Sequence, residues 1–254
     1  MIRQEPAYFI SREPDPRRIL NRRWYTLYPA AAADAAAAGA RVYRGSVLLD
    51  PAPLTGPADA EQRRSATVPF LVTACPRSGT GYTAALFRAA RYEVGHEQDR
   101  RDGIVSWQHA AQLDRLDFRA IVHQTRHPLR AIASATTLAE TSWQYMFGVV
   151  GWPRRCNTVY WAMYAWHKWT RLCDGCASWR YRVEDMDAAL WRELQTRLGL
   201  DPRPYRADVP KTENSRPHIH LTWSALHEID DPLATRVERQ ARSYGYDTTE
   251  EPAP

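Results

Sequence analysis

The chain has 254 residues, with 34 lysines and arginines against 29 aspartates and glutamates, and a formal net charge of +5 at pH 7. This length favours a single α/β domain with one substantial core, and the charge suits an anionic partner, although the arginines are too evenly spread to predict a nucleic-acid surface. No stretch is long and apolar enough for a membrane span, and the charged start lacks the apolar core of a signal peptide. Four cysteines do not predict a disulfide scaffold. We therefore expect a cytoplasmic protein with no membrane partner.

Residues 1–66 differ in character from the rest of the chain. They contain many arginines, several prolines and an alanine run that only Asp34 interrupts. No pattern typical of a catalytic site occurs in this segment. We therefore predict that residues 1–66 form an N-terminal extension, which packs on the main domain of residues 67–254 or contributes to one side of its binding site.

The segment 68–91 predicts an apolar strand, a tight loop and a helix. Val68 to Cys75 is almost continuously apolar, as in a strand of a parallel sheet that is buried on both faces. The loop combines glycines, hydroxyl donors and a permanent cation, and the amides at the start of the helix point at the same spot. We predict an anion site built from Arg77, Ser78, Gly79, Thr80, Gly81 and Tyr82.

Two other nucleotide-binding loops need comparison with this one. A kinase or ATPase loop would read G-x-x-x-x-G-K-[ST], and neither its spacing nor its lysine is present here. Residues 79–84 do satisfy the dinucleotide pattern G-x-G-x-x-A, and Glu97 follows at a suitable distance for a ribose-binding acid. In that pattern the first glycine follows the strand closely, whereas here Pro76, Arg77 and Ser78 intervene. A phosphotransferase or an NAD-binding enzyme therefore remains as the alternative.

A short strand is predicted over 92–97, and two possible bases lie at its end. Ligands of open α/β sheets bind at the carboxyl ends of the strands, so we expect a base on the strand next to the first one. His96 and Glu97 lie at that position, and we favour Glu97. Because alternate residues of a strand face opposite sides, we expect only one of the two to point at the anion site.

Residues 119–140 predict a second strand, loop and helix that resemble the first set in kind. The strand covers Ala120 to Thr125, and Pro128 opens the helix. Arg126 ends the strand and Ser134 lies two turns into the helix. The long guanidinium of Arg126 and the hydroxyl of Ser134 can converge on one oxyanion, which predicts a second phosphate site.

The segment 141–169 is rich in aromatic residues, most of which we expect in the core. Within it, the stretch from Trp143 to Trp152 contains glycine, ends at Pro153 and has no clear helical register. These features predict a loop that covers the substrate, with Trp143 as a candidate contact. Aromatic side chains there would suit a sugar or an aromatic ring.

The two loops together resemble those of the sulfotransferases that use 3′-phosphoadenosine 5′-phosphosulfate (PAPS). The 5′-phosphate loop of that family reads P-[KR]-[ST]-G-T-[TG], which residues 76–81 match. The family also places an arginine at a strand end and a serine eight positions later, both on the 3′-phosphate, as Arg126 and Ser134 are spaced. Residues 179–186 resemble its strand ending in E-D-[LM], and residues 211–223 resemble the basic segment over the 3′-phosphate, with Lys211, Asn214, Ser215 and Arg216 as candidates.

The resemblance covers about residues 68–225 and implies both a fold and a reaction. The implied fold is a three-layer αβα domain with a central, mainly parallel sheet of the P-loop-like sulfotransferase type. The implied reaction moves a sulfuryl group from PAPS to a hydroxyl or amine of a small-molecule or carbohydrate acceptor, releases PAP and requires no metal. Glu97 or His96 would be the base, and Trp107 and His109 would border the acceptor. A catalytically inert PAP-binding module is a further alternative.

Overall fold

The computed structural model describes residues 8–11, 41–44, 67–113, 116–210 and 219–249. The chain divides into two compact units, Met1–Ala58 and Asp59–Pro254. In the first unit, strand β1 (Tyr8–Ser11) pairs antiparallel with strand β2 (Arg41–Arg44). Most of the predicted extension, residues 1–66, lies outside the described residues, and its packing on the rest of the chain stays a prediction.

The described part of the second unit alternates strands with helices. Its elements, in chain order, are β3 (Thr67–Ala74), α1 (Thr80–Ala89), β4 (Val94–His96), β5 (Gly103–Ser106), β6 (Asp117–Thr125), α2 (Pro128–Ala135), α3 (Glu140–Val150), α4 (Thr158–Cys176), β7 (Trp179–Arg182), α5 (Ala188–Arg197) and α6 (Trp223–Ser243). Short 3₁₀ turns follow β5 at His109–Ala111 and β7 at Val183–Asp185. Among the described helices, none is both long enough and apolar enough to cross a membrane.

The five strands of this unit form one parallel sheet in the order β4-β5-β3-β6-β7. β3 is central, and its residues Phe70, Leu71, Val72 and Ala74 are fully buried. This burial on both faces explains the uninterrupted apolar run in the sequence. The predicted strands over 68–75 and 120–125 and the helix from Thr80 are confirmed within a few residues at each end.

Two apolar clusters cover the two faces of the sheet. Phe70 and Val72 pack with Phe87 of α1 and Trp191 of α5 in one cluster. The alternate residue Thr73 instead contacts the Cys173 sulfur of α4, at 3.5 Å, on the other face. Because β4 and β7 lie at opposite edges, crossovers of the same right hand bring their helices to opposite faces. The fold is α/β with an all-parallel sheet, compatible with the expected three layers.

The position of β4 differs from the prediction, which placed it beside β3. β5 lies between them and pairs with both, Val105 opposite Val72 and also opposite His96. All residues of β5, Gly103–Ser106, are buried, so this strand takes the interior position and leaves β4 at the edge. A connection over 97–102 suffices because both strands are short and Glu97 adopts a left-handed conformation, with φ 58°.

The loop predicted from Trp143 to Trp152 is wrong, since helix α3 extends from Glu140 to Val150. Trp143, Met146 and Phe147 are its buried residues, at the i, i+3 and i+4 spacing of an apolar helix face. The exposed Val149 obscures that periodicity in the sequence. The helix ends before Gly151, whose φ of 89° lies in a region that favours glycine.

We predict that Gly103→Ala lowers the free energy of unfolding by about 3 kcal/mol. An added Cβ would lie 2.6 Å from the ring of Phe70, which is fully buried, and the φ of Gly103 is +148°. Gly175→Ala is the matched control, because nothing lies within 4 Å of its Cβ position in α4, and alanine there should stabilise by about 0.5–1 kcal/mol. Urea unfolding measures the stability of both variants. Equal unfolding midpoints for Gly103→Ala and the wild type would contradict the close packing of Gly103 against Phe70.

Candidate functional site

The loop after β3 reverses the chain through two left-handed residues, Arg77 (φ 66°) and Gly79 (φ 85°). The Ser78 amide donates to the Cys75 carbonyl at 3.2 Å, which closes the turn. A Cβ on Gly79 would lie 3.3 Å from both the Gln124 amide nitrogen and Val183. Glycine is therefore required at this position both by the backbone conformation and by the close approach of β6 and the turn after β7.

Gln124 of β6 holds this loop in place. Its side-chain nitrogen donates to the Ser78 carbonyl at 2.5 Å. Its side-chain oxygen accepts from the Thr83 hydroxyl at 2.5 Å and from the Tyr181 hydroxyl at 2.6 Å. Gln124 is fully buried. The sequence analysis missed this residue, although a glutamine inside an apolar strand is a signal that it needs buried partners.

The loop and the first turn of α1 together leave donors available to an anion. The N-cap of α1 is Gly79, which has no side chain to accept from the first helical amides. The Ser78 hydroxyl is buried at 1% exposure, and no partner for it occurs among the described residues. A buried hydroxyl without a partner costs free energy that a bound anion would recover. The geometry therefore fits the predicted anion site at residues 77–82.

Two hydroxyl side chains of the predicted loop, those of Thr80 and Tyr82, contact residues outside the loop. The Thr80 hydroxyl lies 3.2 Å from His96 Nε2. The Tyr82 hydroxyl lies 3.1 Å from the Tyr205 hydroxyl, and burial raises the pKa of Tyr82. Their backbone amides, together with that of Gly81, remain at the start of α1, so these residues face an anion through the main chain.

The second predicted loop lies directly against the first. Arg126 Nη1 donates to the Arg77 carbonyl at 2.9 Å, and Arg77 Nη2 donates to the Thr137 hydroxyl at 3.1 Å. Thr137 in turn donates to the Ser134 carbonyl at 2.8 Å, at the end of α2. Ser134 is 6% exposed. The four residues therefore link the loop after β3, the loop after β6 and helix α2.

Arg126 is a largely buried cation. Burial lowers the pKa of its guanidinium, and the Glu184 carboxylate opposes that effect. Among the described residues, no carboxylate lies at salt-bridge distance from it. An arginine keeps its charge even when partly desolvated, so this position favours an anionic ligand.

Glu184 positions the second loop from the turn after β7. One of its carboxylate oxygens accepts from the His127 amide at 2.7 Å, and the other accepts from the Tyr246 hydroxyl at 3.1 Å. The Tyr246 hydroxyl also lies 3.1 Å from that of Thr125, at the end of β6. The E-D-M sequence therefore supplies a carboxylate that fixes the backbone just after Arg126.

The side chains of His96 and Glu97 lie next to each other, although the alternation of a regular strand would separate them. His96 Nε2 lies 3.6 Å from Glu97 Oε1 and 3.2 Å from the Thr80 hydroxyl. The left-handed φ of Glu97 breaks the alternation of the strand and turns its side chain to the same side. The carboxylate is thus joined through His96 to the first turn of α1.

Burial shifts the protonation of both residues toward the neutral form. Burial raises the pKa of Glu97, whereas hydrogen bonds from Ser106 and from the amides of Trp107 and Gln108 lower it by a smaller amount. Burial lowers the pKa of His96, and the positive charge of Arg88 acts in the same direction. A carboxylate with a raised pKa beside a neutral imidazole is suited to accept a proton near neutral pH.

The residues predicted to border the acceptor occupy different environments. Trp107 is half-buried; its amide donates to Glu97 Oε1 at 3.2 Å, and its ring packs edge-on against Tyr145. His109 is 7% exposed and contacts Ser106 rather than open surface. Trp143 is 5% exposed and stacks on Phe147, so it is a core residue of α3.

The remaining predicted site residues lie outside the described residues. They are Lys211, Asn214, Ser215 and Arg216. Within the described ranges, no cluster of three histidine, cysteine or acidic side chains is arranged to hold a metal ion. The structure brings together the loop after β3 and the loop after β6, with the half-buried carboxylate of Glu97 near the first.

No family model matches the chain, and neither the curated proteins nor the solved structures include a significantly similar one. Arguments about the function therefore rest on the residues and their geometry. The most informative contacts are those of Gln124 and Arg126, because each connects a loop residue to a different strand end.

We predict that Glu97→Gln removes a pH-dependent component of stability. The folded pKa of Glu97 is raised above its ordinary value of 4.5, so the folded chain binds this proton more tightly. That stabilisation is complete below the unfolded pKa and is lost as pH rises through the folded pKa. Melting temperatures of the wild type and the variant are measured from pH 4 upward at about one-unit steps. As the pH rises, the melting temperature of Glu97→Gln should become progressively higher than that of the wild type.

The exposed Glu228 provides the control for this comparison, since Glu228→Gln should follow the wild-type melting curve at each pH. Parallel curves for wild type and Glu97→Gln would show that the Glu97 carboxylate is not desolvated, against the burial in the structure.

Proposed function

We propose that the chain is a PAPS-dependent sulfotransferase with a P-loop-like sulfotransferase fold. The observation that carries the proposal is the hydrogen bond from Arg126 to the Arg77 carbonyl, at 2.9 Å. It joins a second cationic site to the anion-binding loop, and PAPS is a nucleotide with phosphate groups at both its 3′ and 5′ positions. A mononucleotide or a dinucleotide without the 3′-phosphate would need only the first loop.

The two loops suit the two ends of this nucleotide. The 5′-phosphosulfate would lie against the α1 amides and the unpartnered Ser78 hydroxyl, with Arg77 at the loop. The 3′-phosphate would lie at Arg126 and Ser134. Both loops follow the carboxyl ends of β3 and β6, adjacent strands whose connections lead to opposite edges of the sheet. Ligands of open α/β sheets bind at such a crevice.

The residues nearby can perform the proton and charge steps of the transfer. When bound, PAPS would supply a sulfuryl group to an acceptor hydroxyl or amine in line with the leaving phosphate. Glu97 accepts the acceptor's proton at Oε1, because the bond that Oε1 accepts from the Trp107 amide, at 3.2 Å, is longer and weaker than the 2.5 Å bond from Ser106 to Oε2. Arg77 and the α1 amides neutralise charge on the leaving oxygen, a contribution of about 10²- to 10³-fold in known sites of this kind.

The strand order argues against the dinucleotide alternative. In dinucleotide-binding sheets the first strand lies beside the second strand of the chain. Here β3 pairs with β5 and β6, so β4 is not its neighbour. The kinase-type alternative also lacks the lysine that follows the glycine loop in those enzymes. The inert PAP-binding module differs from the enzyme only in turnover.

We predict that PAP binds at least about 10- to 100-fold more tightly than AMP, which lacks the 3′-phosphate, because a charge-assisted bond contributes about 1.5–3 kcal/mol. Arg126→Ala should reduce that preference to about one. Arg119→Ala is the matched control, since Arg119 is exposed at the opposite end of the same strand and should leave the preference intact. Calorimetry with PAP and with AMP measures the preference. Equal affinities for the two nucleotides in the wild type would contradict the 3′-phosphate site.

We predict that Glu97→Gln retains PAP affinity and loses about 10²- to 10⁴-fold in transfer of ³⁵S from labelled PAPS, as expected for removal of a general base. Sugars, phenols and natural-product scaffolds form the acceptor panel. His96→Ala should have the smaller effect. Full turnover in both variants would refute the assignment of the base, and PAP binding without labelling of any acceptor would favour the inert module.

A further inference from the structure

Two successive hydrogen bonds lead from Glu97, away from the loops after β3 and β6, to His109. The Ser106 hydroxyl donates to Glu97 Oε2 at 2.5 Å. His109 Nδ1 lies 2.7 Å from the same hydroxyl, and His109 Nε2 lies 3.5 Å from Asp99 Oδ1. Ser106 is fully buried, His109 is 7% exposed and the Asp99 side chain is 65% exposed. The hydrogen bonds therefore connect a half-buried carboxylate to a largely buried imidazole, and the exposed Asp99 carboxylate lies beyond the far side of that ring.

The donors and acceptors of these hydrogen bonds have one consistent direction when Glu97 is ionised. A carboxylate only accepts hydrogen bonds, so the single Ser106 proton points to Glu97. The Ser106 oxygen must then act as the acceptor toward His109, which requires a proton on Nδ1. The Gln108 amide, at 3.0 Å, also donates to that oxygen.

The arrangement contains the residue types of a serine–histidine–aspartate triad, but the geometry excludes a nucleophilic serine. The Ser106 hydroxyl has no exposure and its proton is directed to Glu97 rather than to the imidazole. A nucleophile would need both access to a substrate and a base to remove its proton. Ser106 and His109 act on Glu97 and not on a substrate.

We propose that Ser106 and His109 are positioning residues for Glu97, which hold Oε2 by two directed hydrogen bonds so that Oε1 accepts the acceptor's proton. The positioning role rests on the proposed sulfuryl transfer. The direction of the hydrogen bonds is independent of that proposal. Oε1 is oriented in turn by the Trp107 amide at 3.2 Å and lies 3.6 Å from His96. The carboxylate is thus fixed on both oxygens, as a base aligned for one geometry must be.

The charged and titratable groups around Glu97 and His109 are consistent with this direction of the hydrogen bonds. His96 lies beside Glu97, with Arg88 of α1 behind it, and both the burial of His96 and the Arg88 charge keep the imidazole neutral. Burial lowers the pKa of His109, which Asp99 opposes. Ser106 lowers the pKa of Glu97, so its loss favours the protonated carboxyl.

The direction of the hydrogen bonds is tested by ¹⁵N NMR of histidine-labelled protein, with the His109 signals assigned by their loss in His109→Asn. In the wild type, Nδ1 should carry a proton at every pH at which Glu97 is ionised. In Ser106→Ala, the proton should move to Nε2, which faces Asp99. The proposal would be overturned if His109 in the wild type carried its proton on Nε2, with none on Nδ1, and Ser106→Ala left this unchanged. This outcome is independent of whether the protein transfers sulfuryl groups.

The positioning role is tested by transfer from labelled PAPS across pH. Ser106→Ala and His109→Leu should lower turnover by about 100-fold, the effect of a small misplacement of a base, and should shift the acid limb of kcat/KM to higher pH. Ser106→Thr and His109→Asn keep a hydroxyl and a donor near Nδ1, so both should restore most of the rate. His227→Asn, on α6, is the matched control and should not change the profile.

The outcomes separate this proposal from the proposed function. Absence of PAP binding in the wild type would contradict the donor assignment, while the NMR result would still decide the direction of the hydrogen bonds. Normal PAP binding with an unchanged rate and pH profile in Ser106→Ala would contradict the positioning role and leave the donor assignment intact.

Discussion

One buried carboxamide, that of Gln124, connects the loop after β3 to three other elements. It donates to the Ser78 carbonyl and accepts from Thr83 and Tyr181, so it holds the loop, helix α1 and strand β7 relative to β6. Each of these groups, left unpaired in the interior, would cost about 1–3 kcal/mol. The satisfied set therefore defines one loop conformation, and the side-chain amide approaches Gly79 so closely that little room remains for a Cβ there.

The burial of both sheet faces determines where polar chemistry can occur. Aromatic and aliphatic side chains fill one cluster against α1 and α5 and another against α2, α3, α4 and α6. Polar groups are then concentrated at the strand ends, where Arg126 follows β6 and Glu97 follows β4. Since all five strands are parallel, these ends lie at the same edge of the sheet. The contacts between the two loops are a consequence of that topology.

Glu97 shows the opposing demands of stability and chemistry at this edge. Burial raises its pKa, which is unfavourable for a carboxylate at neutral pH, and the bonds from Ser106 and the Trp107 amide offset part of that effect. Its left-handed backbone adds conformational strain. Such a combination is typical of functional sites, where local stability is given up for a defined orientation and protonation state.

Local features of the sequence determined much of the fold and of the candidate site. The apolar runs predicted β3 and β6 because residues buried on both faces must all be apolar, and the glycines and Arg77 identified the loop since only certain residues allow its conformation. Arg126 was found through its place at a strand end. These properties depend on neighbours in the chain, so they can be read without the tertiary structure.

Only the tertiary structure decided the neighbours in space. The insertion of β5 between β3 and β4 follows from which short strand is more completely buried, and α3 replaces the predicted loop because Trp143, Met146 and Phe147 pack in the core. The roles of Gln124 and Ser106 are likewise hydrogen bonds to residues distant in sequence or beyond a reversal of the chain. Spacing in the sequence does not encode these pairings, because they depend on the packing of whole elements against one another.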